Sequence, residues 1–405
     1  AAEPGARGAG AARPGGPVHL NLAFDEPLSD LLIPGDVPDA LGATDPVAVF
    51  GREDGGPFVQ VVAGSAALDA DAMSRLLGRL KAARRPIVVA GPQADPAAAQ
   101  LATLLGAPLL ADPLSGLRTG DAIGGYDALL RDEQVGAALA PDLVLHTGRT
   151  MTSKHLGAWL ARVGVDRIVF DVGGEQEDPE QIGGTWLRVG VAAVVTAWRG
   201  VRELRGDAGV ETVELRRDPR PKTPKPVGQA WLDRWQAAEA AVRGARSRAV
   251  SAALEAGVAF EGALVSALMS AIPPEGRLLV ASSMPVRQVD AFWQGGPVQV
   301  FANRGVNGID GLVSTAFGTA HDGRPTWALL GDLALLHDLG GMAAWPRLGI
   351  PLVLVVINNG GGGIFSYLPL ASTAAAAPGG AFAPLFTTPH ATDFAAAAAL
   401  FGLDQ

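Results

Sequence analysis

The sequence predicts an α/β fold, with two successive domains in which helices cover both faces of a parallel sheet. Three observations carry this. Short runs rich in Val, Ile and Leu alternate with helix-length amphipathic stretches through most of the chain. Several runs, such as Arg85-Pro-Ile-Val-Val-Ala-Gly91, end in a glycine turn that leads toward the next helix. One Pro-rich charged stretch, 216–226, interrupts the alternation and marks a boundary.

Taken in order, residues 1–16 are low-complexity and expected to be disordered. Gly16-Pro-Val-His-Leu-Asn-Leu22 alternates like a strand, yet no sheet precedes it. A lone strand is not stable, so 1–35 reads as a tail and the remnant of an earlier domain. Residues 36–210 read as a Rossmann-like domain. Its strands are Arg85–Gly91, Asp142–Gly148 and Arg167–Asp171, with helices over Met73–Ala83, Asp95–Leu105 and His155–Ala161. A linker follows over 211–228. From 229 to 405 a second α/β unit begins with helices Gln229–Ala256 and Gly262–Ile272. It continues through strands Arg277–Ala281, Thr326–Leu330 and Leu352–Ile357 to a last helix, Asp393–Phe401. A closing βα pair is expected after it.

Composition narrows the function. The chain has 405 residues, 48% hydrophobic and 18% charged, enough for two or three domains with sizeable cores. The net charge is −9 and no long basic run occurs, so nucleic acid is not an expected partner. Cysteine is absent, which excludes disulfides and thiolate metal sites and fits a cytoplasmic location. No apolar stretch reaches the length of a membrane span.

The chemistry is concentrated in the second unit. Gly331-Asp332-Leu333 ends one strand and Asn358-Asn359 ends the next, with a helix-length crossover between them. Parallel strands joined this way bring their carboxyl ends to one edge, where open α/β sheets bind ligands. A carboxylate, an amide oxygen and a carbonyl from Gly360–Gly363 are hard donors suited to Mg²⁺, which keeps positions for phosphate oxygens. The glycines also allow close backbone approach and offer N–H groups to phosphate. Taken alone, Asp332 also reads as a helix N-cap and Asn358-Asn359 as a turn. Ser283 and Arg287 follow the strand ending at Ala281, and Arg304 lies in Asn303-Arg-Gly-Val-Asn-Gly-Ile-Asp310. Arginine forks suit carboxylates, although each also reads as a surface ion pair. Lys154 follows the strand 142–148 and reads equally as a solvated lysine. His337 reads as helix packing more than as a general base. The histidines form no zinc spacing, and neither a Gly-x-Ser-x-Gly elbow nor a Walker loop occurs.

Gly331-Asp-Leu and Asn358-Asn359 resemble the signature of thiamine-diphosphate enzymes, GDG followed by NN, with Leu333 in place of the second glycine. Gly305–Ala316, Gly331–Asp338 and Gly360–Pro369 are similar to the MenD family of menaquinone biosynthesis, in which Leu after Gly-Asp is normal. The similarity is strong over 278–370 and looser in the central domain. It implies the thiamine-diphosphate enzyme fold and a transferase that decarboxylates 2-oxoglutarate and adds the succinyl carbanion equivalent to isochorismate. It implies thiamine diphosphate with Mg²⁺ or Mn²⁺, the metal held by Asp332, Asn359 and the carbonyl of Gly361. Gly331, Leu333, Gly362, Ile364 and Phe365 would line the cofactor, with Ile309 as an apolar wedge. Ser283, Arg287, Arg304, Lys154, Phe365 and Leu368 would meet substrate. A homodimer or homotetramer with shared active sites is implied.

Against that family the chain is expected to lack the first, pyrimidine-binding domain, with its activating glutamate, and the segment after Gln405. Alone it is expected to bind thiamine diphosphate weakly and to form no product. Two other readings stand beside this one: an acetolactate-synthase-like enzyme, and a truncated non-catalytic cofactor-binding protein.

Overall fold

The computed structural model describes residues 40–56, 58–59, 66–204, 229–373 and 379–403. The strand predicted over 16–22 and the linker predicted over 211–228 lie outside the described residues. Two compact units divide the chain, Ala1–Ala67 and Leu68–Gln405. The first contains the short helices Leu41–Thr44 and Pro46–Phe50. Asp45 caps the second of these, accepting from the Ala48 N–H at 3.1 Å, and Pro46 occupies the first helical position.

The second unit contains two sheets. The first has five strands: β1 (Pro86–Ala90), β2 (Leu109–Ala111), β3 (Leu143–Thr147), β4 (Arg167–Phe170) and β5 (Thr185–Leu187). Their order is β2-β1-β3-β4-β5, and all pairs are parallel. Every residue of β1, β3 and β4 is buried. Successive side chains enter opposite cores. Val88, Leu145 and Ile168 join the helices Ala70–Ala82 and Ala98–Leu105, while Ile87, Val89 and Val144 face Trp159 and Trp235. Gly91 permits the chain to leave β1: a Cβ there would stand 1.9 Å from the Arg149 carbonyl oxygen.

The second sheet has four strands: β6 (Arg277–Val280), β7 (Gln299–Phe301), β8 (Thr326–Gly331) and β9 (Leu352–Ile357). Their order is β7-β6-β8-β9, again all parallel. The chain leaves β6 toward β7 and returns to its other side as β8, so the topological switch lies between β6 and β8. Leu279, Ala328 and Leu330 enter one core, and Leu278, Val280 and Leu329 the other.

The helix Gln229–Glu255 departs from the expected grouping with the second sheet. Its Trp231 and Trp235 are buried against the first sheet, and Trp231 Nε1 donates to the Pro86 carbonyl at 2.9 Å. Tryptophan brings a large apolar face and one donor; Trp231 satisfies both, whereas Trp235 is held by its apolar face, its Nε1 buried without a partner.

The two sheets are tied by Arg118, which is 1% exposed. Its guanidinium donates to Ala111 O at 2.9 Å and Gly124 O at 2.9 Å on the first side. On the second it donates to Asp290 Oδ1 at 2.7 Å, Asp290 O at 3.0 Å and Trp293 O at 3.3 Å. It therefore caps the carboxyl end of the helix Met284–Phe292 with a cation, as the helix dipole favours. The Tyr126 hydroxyl donates to the same Asp290 oxygen at 2.7 Å. Burial drives the Asp290 carboxyl up to about 7, more than Arg118 draws it down. No helix among the described residues is long and apolar enough to cross a membrane.

Candidate active site

At the carboxyl ends of β6, β8 and β9 the backbone ladders stop in register, with Val280 beside Leu329 and Gly331 beside Ile357. The residues that follow each strand line a cavity of about 380 Å³. This is the size and position expected of a ligand site in an open α/β sheet.

After β6 the chain turns sharply. Ser283 has φ +70, uncommon for a residue with a side chain, and the helix Met284–Phe292 starts immediately beyond it. Arg287 Nη1 donates to the Ser283 carbonyl at 2.5 Å, which fixes the guanidinium at the cavity wall. Ser282 is buried, and its hydroxyl donates to the Asn303 carbonyl at 3.2 Å, drawing in the loop that carries Arg304. Arg304 Nη1 is buried with no hydrogen-bond partner. Burial, and then the neighbouring Arg287 charge, push the Arg304 pKa down. Two cations on one wall, one with an orphan donor, fit an anionic ligand.

After β8 comes Asp332, 2% exposed and the first residue of the helix Asp332–His337. Its Oδ1 accepts from the Leu333 N–H at 2.7 Å and its Oδ2 from the Gly361 N–H at 2.8 Å. The helix has no side-chain cap, so Asp332 does not serve as the N-cap that its position in the sequence also allowed. After β9 the two asparagines divide their roles. Asn358 Oδ1 accepts from the Gly360 N–H at 3.2 Å, making the turn, while Asn359 lines the cavity. Gly361 has φ +139, and a Cβ there would lie 2.1 Å from the Thr387 carbonyl oxygen. Thr387 O also accepts from the Gly362 N–H at 2.7 Å, so the segment 379–393 straps the glycine turn. From the same segment His390 Nε2 comes within 3.3 Å of Asp332 Oδ2, at an angle that makes no hydrogen bond.

The cavity gathers Ser283, Arg287, Arg304 and Ile309 with Gly331, Asp332 and Leu333. It also gathers Asn359, Gly361, Gly362, Ile364 and Phe365. It does not gather two of the predicted residues. Lys154 is exposed at the start of the helix Lys154–Val163, and Leu368 is 43% exposed beyond Tyr367. Neither is on the cavity wall. His337 ends its helix exposed, so it does not pack as expected. Sequence reading missed Glu261 and Gln288, which also line the cavity. Glu261 opens the helix Glu261–Ala271 and looks in sequence like an ordinary acidic first-turn residue. Only the packing of that helix beside Met284–Phe292 turns it inward.

Comparison with known proteins relates the chain to one group of synthases. No family model matches the chain. It is similar along 96% of its length to 2-succinyl-5-enolpyruvyl-6-hydroxy-3-cyclohexene-1-carboxylate synthases. Identities are 35% with the protein of Bacillus velezensis, 38% with that of Myxococcus xanthus and 34% with that of Halobacterium salinarum. Over that length the chain resembles the MenD synthases. It spans 62 to 63% of the length of these MenD relatives. Among solved structures it resembles a Mycobacterium smegmatis protein assigned as a thiamin diphosphate-dependent enzyme. The TM-score is 0.52 at 18% identity, covering 86% of this chain and 61% of the other. The fold is thus the α/β fold of the thiamine-diphosphate enzymes.

The donor chemistry of the cavity fits a hard divalent cation. Among the described residues no cluster of three or more His, Cys, Asp or Glu is present. A metal at Asp332 would depend on amide and backbone oxygens and on oxygens from a bound phosphate. Each Asp332 oxygen accepts one backbone N–H, and a carboxylate has about four acceptor sites. Buried and hydrogen-bonded, it is held ready for a charge partner.

Proposed function

We propose that this chain forms the diphosphate- and metal-binding part of a thiamine-diphosphate-dependent synthase. The reaction is decarboxylation of 2-oxoglutarate and addition of the remaining four-carbon unit to isochorismate. The product is 2-succinyl-5-enolpyruvyl-6-hydroxy-3-cyclohexene-1-carboxylate, the compound named for the relatives. The observation that carries this reading is the meeting of Asp332, Asn359 and Gly361 with Arg287 and Arg304 in one cavity at the switch of the second sheet.

Asp332, Asn359 and the Gly361 carbonyl would hold Mg²⁺ or Mn²⁺ against the diphosphate. When bound, thiamine diphosphate supplies the electron sink for cleavage of the bond to the departing carboxylate. The chain supplies position and charge. Ile309 is packed at the edge of the core and lines the cavity, so it would offer a rigid apolar surface to the cofactor. Ile364 and Phe365 exclude water from the same wall, and the edge contact of Phe365 with Phe386 at 5.6 Å fixes the Phe365 ring. Ser283, Arg287 and Arg304 would take substrate carboxylates, whose charge offsets the mutual repulsion of the two guanidiniums. An acetolactate-type reaction on pyruvate leaves one of these cations without a partner. Assembly into a homodimer or homotetramer and a cytoplasmic location belong to the same reading.

Calorimetry with thiamine diphosphate and Mg²⁺ tests it. Wild-type chain is expected to bind, and Asp332→Ala to lose binding at least 10-fold, within the range for removing a charged metal partner. Equal binding by both proteins would overturn the proposal. A binding panel then separates substrates. 2-Oxoglutarate is expected to compete at the cavity and pyruvate much less, a preference that Arg304→Ala should reduce.

A further inference from the structure

Glu261 touches two amides at once. Its Oε1 accepts from Asn359 Nδ2 at 3.1 Å, and its Oε2 accepts from Gln288 Nε2. An ionised carboxylate has no hydrogen to give, so the end of each amide that meets it is the NH₂. The oxygens are turned the other way. Asn359 Oδ1 accepts no hydrogen bond among the described residues. Gln288 is 6% exposed, and its Oε1 is buried without a partner on the cavity wall.

That orientation matters chemically. An asparagine can hold a hard cation only through oxygen, and its two ends are nearly isosteric, so packing alone does not choose between them. We infer that Glu261 is a positioning residue that locks the Asn359 side chain oxygen-outward for the metal. It does so from the rigid start of a helix, and Gln288 on the next helix clamps its second oxygen. This rests on the metal–diphosphate reading of the site. Glu261 itself is not a ligand in this account. It removes the wrong rotamer of a ligand.

The test uses the 405-residue chain with thiamine diphosphate and Mn²⁺, following free Mn²⁺ by electron paramagnetic resonance. Glu261→Gln keeps the shape but offers either an oxygen or an NH₂ to Asn359, so the orientation is no longer imposed. It is expected to weaken Mn²⁺ binding ~10-fold, as loss of a ligand's hydrogen-bond partner typically does, with the melting temperature in metal-free buffer unchanged. In the double variant Glu261→Gln, Asn359→Asp the carboxylate and amide exchange places. Whichever way the Asp turns, oxygen faces the metal, and binding should return to within about twofold of wild type. Asn359→Asp alone sets two carboxylates face to face and should bind Mn²⁺ less tightly than the double variant. The inference is overturned if Glu261→Gln binds like wild type, or if the double variant binds no better than Glu261→Gln. Tighter binding by Asn359→Asp alone than by the double variant also overturns it, because charge count rather than orientation would then govern. Failure of wild type to take up Mn²⁺ with thiamine diphosphate would instead remove the underlying site reading, and this inference with it.

Discussion

Single residues in this molecule are set by what surrounds them. His146 on β3 is buried, and its Nδ1 lies 3.0 Å from Arg167 Nη2. A guanidinium has no lone pair to share, so Nδ1 must accept, and Nε2–H is left to donate toward the Arg149 carbonyl at 3.3 Å. Burial, then the Arg167 charge, lowers the His146 pKa to about 4. The unfolded side chain takes up a proton near pH 6.5 and the folded one does not. The stabilisation from a neutral His146 is therefore present above pH 6.5 and lost as pH falls through 4. Its size is roughly 3 kcal/mol, from the pKa difference. Urea melts of wild type and His146→Gln at pH 7 and pH 4 check this: wild type should lose that much more stability than the variant on acidification. Equal losses would refute it. Gly361 is set as tightly by geometry. Gly361→Ala should weaken metal and cofactor binding and lower the melting temperature, because the new methyl group meets the Thr387 carbonyl. An unchanged binding isotherm would show that the strap over 379–393 is free to move.

At the scale of elements, the site depends on one helix held from both ends. Met284–Phe292 starts at the strained Ser283 and ends on the Arg118 guanidinium, and between them it carries Arg287 and Gln288 to the cavity. Asp290→Ala removes the carboxylate that faces a fully buried cation. The expected cost is roughly 3–5 kcal/mol, the usual result of leaving a buried charge unpaired. Chemical denaturation measures it, and a change under about 1 kcal/mol would mean that the carbonyls of this helix suffice for Arg118. The nearly all-buried strands were legible because a continuous apolar run between turns has few other homes. The positions of Glu261, Gln288 and the strap were not legible, since each depends on which helices and loops become neighbours.

For the unit Leu68–Gln405 as a whole, two sheets share connections that a linear reading assigns to separate domains. The helix Gln229–Glu255 buries Trp231 and Trp235 on the first sheet, and Arg118 reaches from the first sheet's loops into a helix of the second. This unit is therefore expected to melt in one calorimetric transition. Asp290→Ala should broaden or split it, as one buried connection between the two sheets is cut. Two well-separated transitions in wild type would contradict the shared core.

The sequence by itself determined the parallel α/β class, the strands that end in Asp332 and Asn358-Asn359, and the resemblance to thiamine-diphosphate enzymes. Those properties reside in apolar periodicity and in backbone-specific residues such as the glycines 360–363, which act through local chain geometry. Tertiary structure decided which side chains meet. It brought Ser283, Arg287, Arg304 and Ile309 to Asp332 and Asn359, left Lys154 and Leu368 outside, and turned Glu261 inward. The reason is physical: a strand end is fixed by its own residues, whereas a contact is fixed by two elements and the direction in which each presents its side chains.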